Sequence, residues 1–251
     1  MTRPRIMVAP NGARRSKADH AALPLTLEDI QQTARSCHAA GADALHLHVR
    51  DSSGSHSLDA GLYRETLAAL CDIAGLELQI TTEAAGRYDP EAQFACLKDL
   101  APSWASISVR EINRNREIAV QLYALCAEQG TRVQHIVYDA DDLALLRDWR
   151  SVGIVRPEQN EVICVLGAYA PARPGHRKEL AALLPKLAGL RFSLCAFGPQ
   201  EQECLIAAAR SGAEYLRVGF ENNLQAPDGT VWRDNAAAVA ALRAELEREF
   251  P

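Results

Sequence analysis

The chain has 251 residues, 48% of them hydrophobic and 24% charged, with a net charge of −5. That balance fits a globular domain, and the Lys and Arg residues are scattered rather than blocked, so no nucleic-acid partner and no membrane surface is expected. No apolar run approaches the length of a bilayer span, the opening MTRPRIMVAPNG lacks the apolar segment of a secretory leader, and the seven cysteines form no C-x-x-C pair; they read as reduced thiols packed as small hydrophobes in a cytoplasmic protein.

In chain order, short apolar or β-branched runs alternate with amphipathic, Ala/Leu-rich runs. A strand at 5–9 (RIMVA) precedes a helix at 26–40, opened by Thr-Leu-Glu-Asp and closed by Gly41. A strand at 44–49 (ALHLHV) leads to a helix at 59–74. A strand at 76–81 (LELQIT) leads to a helix at 89–100 that starts Asp-Pro-Glu. The pattern continues with 104–109 (WASISV) and 116–129, 132–138 (RVQHIVY) and 140–151, 161–166 (EVICVL) and 176–188, 191–197 (RFSLCAF) and 199–211, and 215–220 (YLRVGF) and 234–249. Eight strand–helix units predict a single (β/α)8 TIM barrel over 1–251, with parallel strands buried on both faces. The rival, an open doubly wound sheet, wants G-x-G-x-x-G after the first strand, where this chain reads APNGARRSK.

Barrel chemistry sits at the C-terminal ends of the strands. Those ends carry Asn11, Gly12 and Arg14; His46, His48, Arg50 and Asp51; Thr81, Thr82 and Glu83; Ser106, Ser108, Arg110 and Glu111; Cys195; and Arg217, Glu221, Asn222 and Asn223. His46 and His48 are two apart on one strand, so they share a face, and Leu45, Leu47 and Val49 take the helix-packed face. Two imidazoles aimed into the lumen can ligate one metal. The eighth strand lies next but one to the second, so Glu221 can supply a third ligand; two His and one Glu with an open position is a catalytic zinc arrangement. The plain alternative is a pair of histidines hydrogen-bonded to barrel carboxylates. Asp51 reads as a loop salt bridge, Arg50 is left open, His135 reads as a satisfied core histidine, and His20 and His56 read as solvated loop residues. Cys195 has no histidine placed to activate it and reads as core. The Gly198-Pro199 turn reads equally as a phosphate seat or a tight turn.

The segments VAPNGARRSKADHAALPLTLEDI, AGADALHLHVRD and LRVGFENN resemble the β-keto acid cleavage enzyme family, typified by the 3-keto-5-aminohexanoate cleavage enzyme. The resemblance runs over nearly the whole chain. It implies an oligomeric (β/α)8 barrel, dimer or tetramer, with zinc or another divalent metal. It also implies a retro-Claisen-type acyl exchange between a β-keto acid and acetyl-CoA giving a β-ketoacyl-CoA. By position, it makes His46, His48 and Glu221 the metal ligands and gives Arg217 the support of the acid–base network. Thr82 and Ser106, with Ser108 beside them, become substrate-holding hydroxyls.

Three positions depart from the family pattern. Asn222 stands where relatives carry the acid taken as general base; Thr81-Thr82-Glu83 replaces a glycine-rich turn; and the segment after the fourth strand, REINRNREIAV, is short near the coenzyme end. Glu83, and after it Glu111, is then the candidate for the missing base. Arg14 replaces a carboxylate suited to a substrate ammonium, so a keto acid without an amino group, such as a dicarboxylate, is expected. The competing readings are a CoA-independent metal-dependent aldolase, decarboxylase or hydrolase of a keto acid, and a non-catalytic barrel that binds a small acid.

Overall fold

A computed structural model describes residues 3–169 and 171–250. Eight parallel strands close one barrel: β1 (Arg5–Val8), β2 (Ala44–Leu47), β3 (Glu77–Thr81), β4 (Trp104–Ser108), β5 (Arg132–Val137), β6 (Glu161–Leu166), β7 (Arg191–Ala196) and β8 (Tyr215–Val218). β1 pairs with both β8 and β2, with Arg5 opposite Tyr215 and Met7 opposite Ala44, which shuts the ring. The outer helices are Leu27–Ala39, Ala60–Leu70, Pro90–Leu100, Arg116–Gln129, Ala140–Ser151, Arg177–Leu183, Glu201–Arg210 and Asn235–Glu249. A four-residue helical turn, Val109–Ile112, follows β4. No helix among the described residues is long and apolar enough to cross a membrane.

Side-chain oxygens start most helices. Thr26 forms a capping box with Asp29, and Asp59, Asp89, Asn115, Asp139 and Asp234 each accept from the first turn. The sixth helix is shorter than its expected 176–188, because Pro185 lacks the N–H an α-helix needs there and the chain tightens to a 3-10 turn at Leu184–Lys186.

The core lies between sheet and helices. Leu45, Leu47, Ile80, Ile107, Val137 and Leu166 all join it from the outer face of their strands. Burying each such side chain contributes about 1.5–3 kcal/mol. Alternate residues fill the lumen, and near the N-terminal mouth Met7, Ala44, Trp104 and Tyr215 form a small apolar plug. Below that plug three arginines and three glutamates pair around the rim. Arg132 donates to Glu161 at 2.6 Å and to Glu77 at 2.9 Å while lying 4.0 Å over the Trp104 ring. Arg5 pairs with Glu77, and Arg191 with Glu214 and Glu161.

Strand two ends at Leu47, two residues before its expected end. Val49–Arg50 instead pairs antiparallel with His56–Ser57 in a short ribbon over the C-terminal mouth. Arg50 holds that mouth together. It donates to the carbonyls of Gly12 (2.6 Å), Arg15 (3.0 Å) and Gly54 (2.9 Å), so the loop after β1 is tied to the ribbon.

Candidate active site

His46, His48 and Glu221 converge at the C-terminal end of the lumen, all buried. The two Nε2 atoms are 3.2 Å apart, and Glu221 Oε2 lies 3.6 Å from His46 Nε2 and 3.4 Å from His48 Nε2. Bonds of about 2.0–2.1 Å to a tetrahedral zinc separate their ligand atoms by about 3.3 Å, so the three atoms sit at the corners such an ion requires. Glu221 Oε2 is buried and accepts no hydrogen bond, an orphaned anionic oxygen with an unmet need for a cation. Burial, followed by the Arg217 charge, drives the His46 imidazole down to about 3, so its ring is neutral and offers a lone pair.

The chain around the triad fixes each ligand. Gln79 Oε1 accepts from His46 Nδ1 at 2.7 Å, and Gln79 Nε2 donates to Gln134 Oε1 at 3.1 Å. That order of amide groups puts the His46 proton on Nδ1 and leaves Nε2 facing the triad. Glu221 Oε1 accepts from Arg217 at 3.0 Å, and Arg217 also reaches Cys195 Sγ at 3.2 Å. Burial acts to raise the Glu221 carboxyl, but the Arg217 guanidinium beside it overrides that and holds the group well below the carboxylate range. Gly12 makes room for this side chain: a Cβ there would lie 2.6 Å from Glu221 Cγ, and its φ of +62° suits glycine.

The triad opens onto a cavity of about 220 Å³ whose wall includes Arg14, Thr81, Glu83, Glu111, Tyr138 and Arg217. Glu83 Oε2 stands 3.8 Å from His48 Nε2. Burial raises the Glu83 carboxyl, with His48 pulling the other way. Burial likewise pushes Glu111 up to about 7, although it accepts from the Ala84 amide at 2.9 Å and from Gln93 at 3.3 Å. Of the cavity's cations, Arg217 binds Glu221 and Arg110 binds Asp139 and Asp142. Arg14 forms no ion pair among the described residues; its guanidinium lies 5.9 Å from the Tyr169 ring.

A sequence model of the beta-keto acid cleavage enzymes matches residues 5–249. The chain belongs to that family. A 3-keto-5-aminohexanoate cleavage enzyme of Fusobacterium nucleatum is 24% identical over 256 residues, covering 98% of this chain and 93% of that protein. A 3-oxoadipate:acetyl-CoA acetyltransferase of Cupriavidus necator is 29% identical over 264 residues, covering 98% and 90%. Among solved structures, apo ObcA shares the fold with a TM-score of 0.70 at 19% identity; the match covers 91% of this chain but spans only 62% of the ObcA chain.

In this β-keto acid cleavage enzyme, Arg14, His46, Glu83, Arg217 and Glu221 line one cavity, with His48 against them in the triad. The predicted hydroxyls lie behind its wall. Thr82 Oγ1 donates to the Ser106 carbonyl at 3.0 Å, Ser106 Oγ donates to Thr81 Oγ1 at 3.3 Å, and the Ser108 hydroxyl is buried without a partner. Thr81, rather than Thr82, reaches the cavity. Asn222 is 1% exposed, off the cavity wall, and both its amide atoms lack partners.

Two loop readings need correction. His56 is 1% exposed, donates from Nε2 to the Glu83 carbonyl at 2.8 Å, and lies 5.1 Å from the His48 ring. His20 is partly buried against Phe220 and bonds the Trp232 carbonyl. The ribbon covers His56, and no local pattern in a serine-rich loop announces that. Asp51 also differs from its expected salt bridge: it accepts from Ser53 and Ser55 to shape the ribbon's turn. His135 bonds Tyr123 and the Gln159 carbonyl as a satisfied core residue, and burial raises the Cys195 thiol to about 11. Gln79 was legible as a polar, lumen-phase residue in LELQIT; Tyr169, in the loop after β6, carried no signal.

Proposed function

We propose that this chain catalyses a zinc-dependent retro-Claisen exchange between a β-keto acid and acetyl-CoA. The observation that carries the reading is the triad of His46, His48 and Glu221 at the edge of a cavity that also holds Glu83 and the unpaired Arg14. Two imidazoles and a carboxylate suit zinc, which when bound supplies Lewis acidity toward the β-keto oxygen.

The chain's own residues do the rest. Glu83 takes a proton from C2 of the keto acid, a role geometry allows because its carboxylate lines the cavity beside the triad. Asn222 has no basic atom and does not share this task. The C2 carbanion attacks the thioester carbonyl and expels the coenzyme thiolate. That thiolate attacks C3, the C2–C3 bond breaks, and Glu83 returns the proton to C2. The products are acetoacetate and the acyl-CoA of the shortened chain, which is a β-ketoacyl-CoA where the substrate bears a further oxo group. Arg217 keeps Glu221 ionised and turned toward the histidines.

Arg14 sets the substrate class. An unpaired guanidinium on the cavity wall welcomes a second carboxylate and repels an ammonium. A keto diacid without an amino group is the substrate chemistry we infer, and the relative from Cupriavidus necator is named for such an acid, 3-oxoadipate. The test is turnover of a β-keto acid panel with and without acetyl-CoA, beside metal analysis of the purified protein. Stoichiometric zinc and acetyl-CoA-dependent consumption of a keto diacid are expected. Turnover that ignores acetyl-CoA would point to an aldolase or decarboxylase, preference for amino-keto acids would overturn the role of Arg14, and a protein that takes up no divalent metal would overturn the site.

A further inference from the structure

Each metal-ligating histidine needs a partner for its second ring nitrogen, because that bond sets the tautomer and aims the ring. His46 has Gln79 at 2.7 Å. His48 has none: its Nδ1 is buried and unpartnered. If Nε2 of His48 faces a metal, Nδ1 carries the ring's proton and becomes a buried donor without an acceptor, an unfavourable arrangement.

The complementary orphan lies beside it. His56 Nε2 sits 2.8 Å from the Glu83 carbonyl, and a carbonyl only accepts, so Nε2 holds the proton of this neutral ring. Nδ1 of His56 is therefore a lone-pair acceptor, and it too is buried without a partner. The His48 and His56 rings are tilted by 54° with centroids 5.1 Å apart. That separation leaves room for one hydrogen bond of about 2.8–3.0 Å between ring nitrogens turned toward each other.

We propose that His56 is a positioning residue for the metal site: in the metal-loaded protein its Nδ1 accepts the Nδ1–H of His48. The inference rests on the metal site proposed above. It makes a continuous relay from His48 through His56 to the backbone carbonyl of Glu83, so a ligand and the candidate base share one support. The loop after β3 clamps the same residue from its other side, since Arg87 and Tyr88 donate to the His56 carbonyl at 3.0 and 3.2 Å. Without metal the relay is broken. His46 has its proton on Nδ1, so the 3.2 Å contact between Nε2 atoms is satisfied by an Nε2–H on His48, which leaves its Nδ1 bare. Metal entry thus shifts the His48 proton from Nε2 to Nδ1 and creates the donor that His56 lacks.

Two measurements test this. In wild-type protein carrying 15N-labelled histidine, a nitrogen–nitrogen coupling across the hydrogen bond should connect Nδ1 of His48 with Nδ1 of His56 after zinc is added and vanish when zinc is chelated. In parallel, zinc affinity measured by competition with a chelator should fall 10–100-fold in His56→Phe and recover in part in His56→Gln, whose amide oxygen can accept. Zinc bound by the wild type with no such coupling, or unchanged affinity in a folded His56→Phe, would overturn the relay while leaving the metal site standing. Failure of the wild type to bind zinc at all would overturn both.

Discussion

The two mouths of this barrel hold the same charges and use them in opposite ways. At the N-terminal mouth, Arg5, Arg132 and Arg191 face Glu77, Glu161 and Glu214, and every arginine of the set pairs with a glutamate of the set. At the C-terminal mouth, Arg14, Arg110 and Arg217 face Glu83, Glu111 and Glu221, and that matching fails. Arg110 is taken up by aspartates, Arg14 and Glu83 are left to the cavity, and Glu221 Oε2, His48 Nδ1, Arg217 Nε and the whole Asn222 amide are buried without partners. At the first mouth the ion pairs run on from one strand to the next; a set of unmet polar atoms around a cavity is what a ligand or ion completes. The contrast separates the ion-paired end of the barrel from the end that carries the candidate site.

The largest effect should come from breaking the reactive mouth at its centre. Glu221→Gln removes the anionic ligand and is expected to strip zinc below stoichiometry, read by metal analysis, with turnover lowered at least ~10³-fold. Next is Glu83→Gln, where metal should stay bound while kcat falls about 10²–10⁴-fold; undiminished turnover would remove Glu83 from the chemistry. Arg14→Glu is a change of specificity. kcat/KM for a keto diacid should drop about 10–100-fold, and acceptance of an amino-keto acid should rise.

The N-terminal mouth predicts the reverse pattern. Arg132→Met breaks hydrogen bonds to two carboxylates and a stack on Trp104 without touching the cavity. It should lower stability by about 1–2 kcal/mol, a few degrees in Tm, with kcat unchanged. The last effect is a pH slope. Burial raises the Glu201 carboxyl from 4.5 to about 8 in the folded protein. A carboxyl raised on folding contributes stability that is present below its ordinary value and lost as pH rises toward the folded value. Glu201→Gln should therefore flatten part of the loss of stability between pH 4.5 and 8, measured by denaturant melts across that range.

The metal-ligand candidates were legible because they depend on local periodicity. Alternation in ALHLHV puts both imidazoles on one face whatever the fold, and the count of eight strand–helix units puts that face in a lumen. Glu221 followed from barrel order alone, since β1 lies between β8 and β2. Thr81 and Thr82 show where this reasoning stops. They are neighbours on opposite faces, and which one meets the cavity depends on where β3 stops pairing, a one-residue matter set by contacts with β4.

The sequence by itself determined the barrel, its strand phases and the histidine pair, because each rests on hydrophobic alternation and on caps within a few residues of each other. Only the tertiary structure decided which polar groups find partners. His56 is remote from the triad in pattern but against it in space, and Arg14 is one guanidinium among several until its neighbours prove to be paired elsewhere. Hydrogen-bond satisfaction is a property of the assembled neighbourhood, so the atoms left wanting around the cavity appear only once the chain has closed on itself.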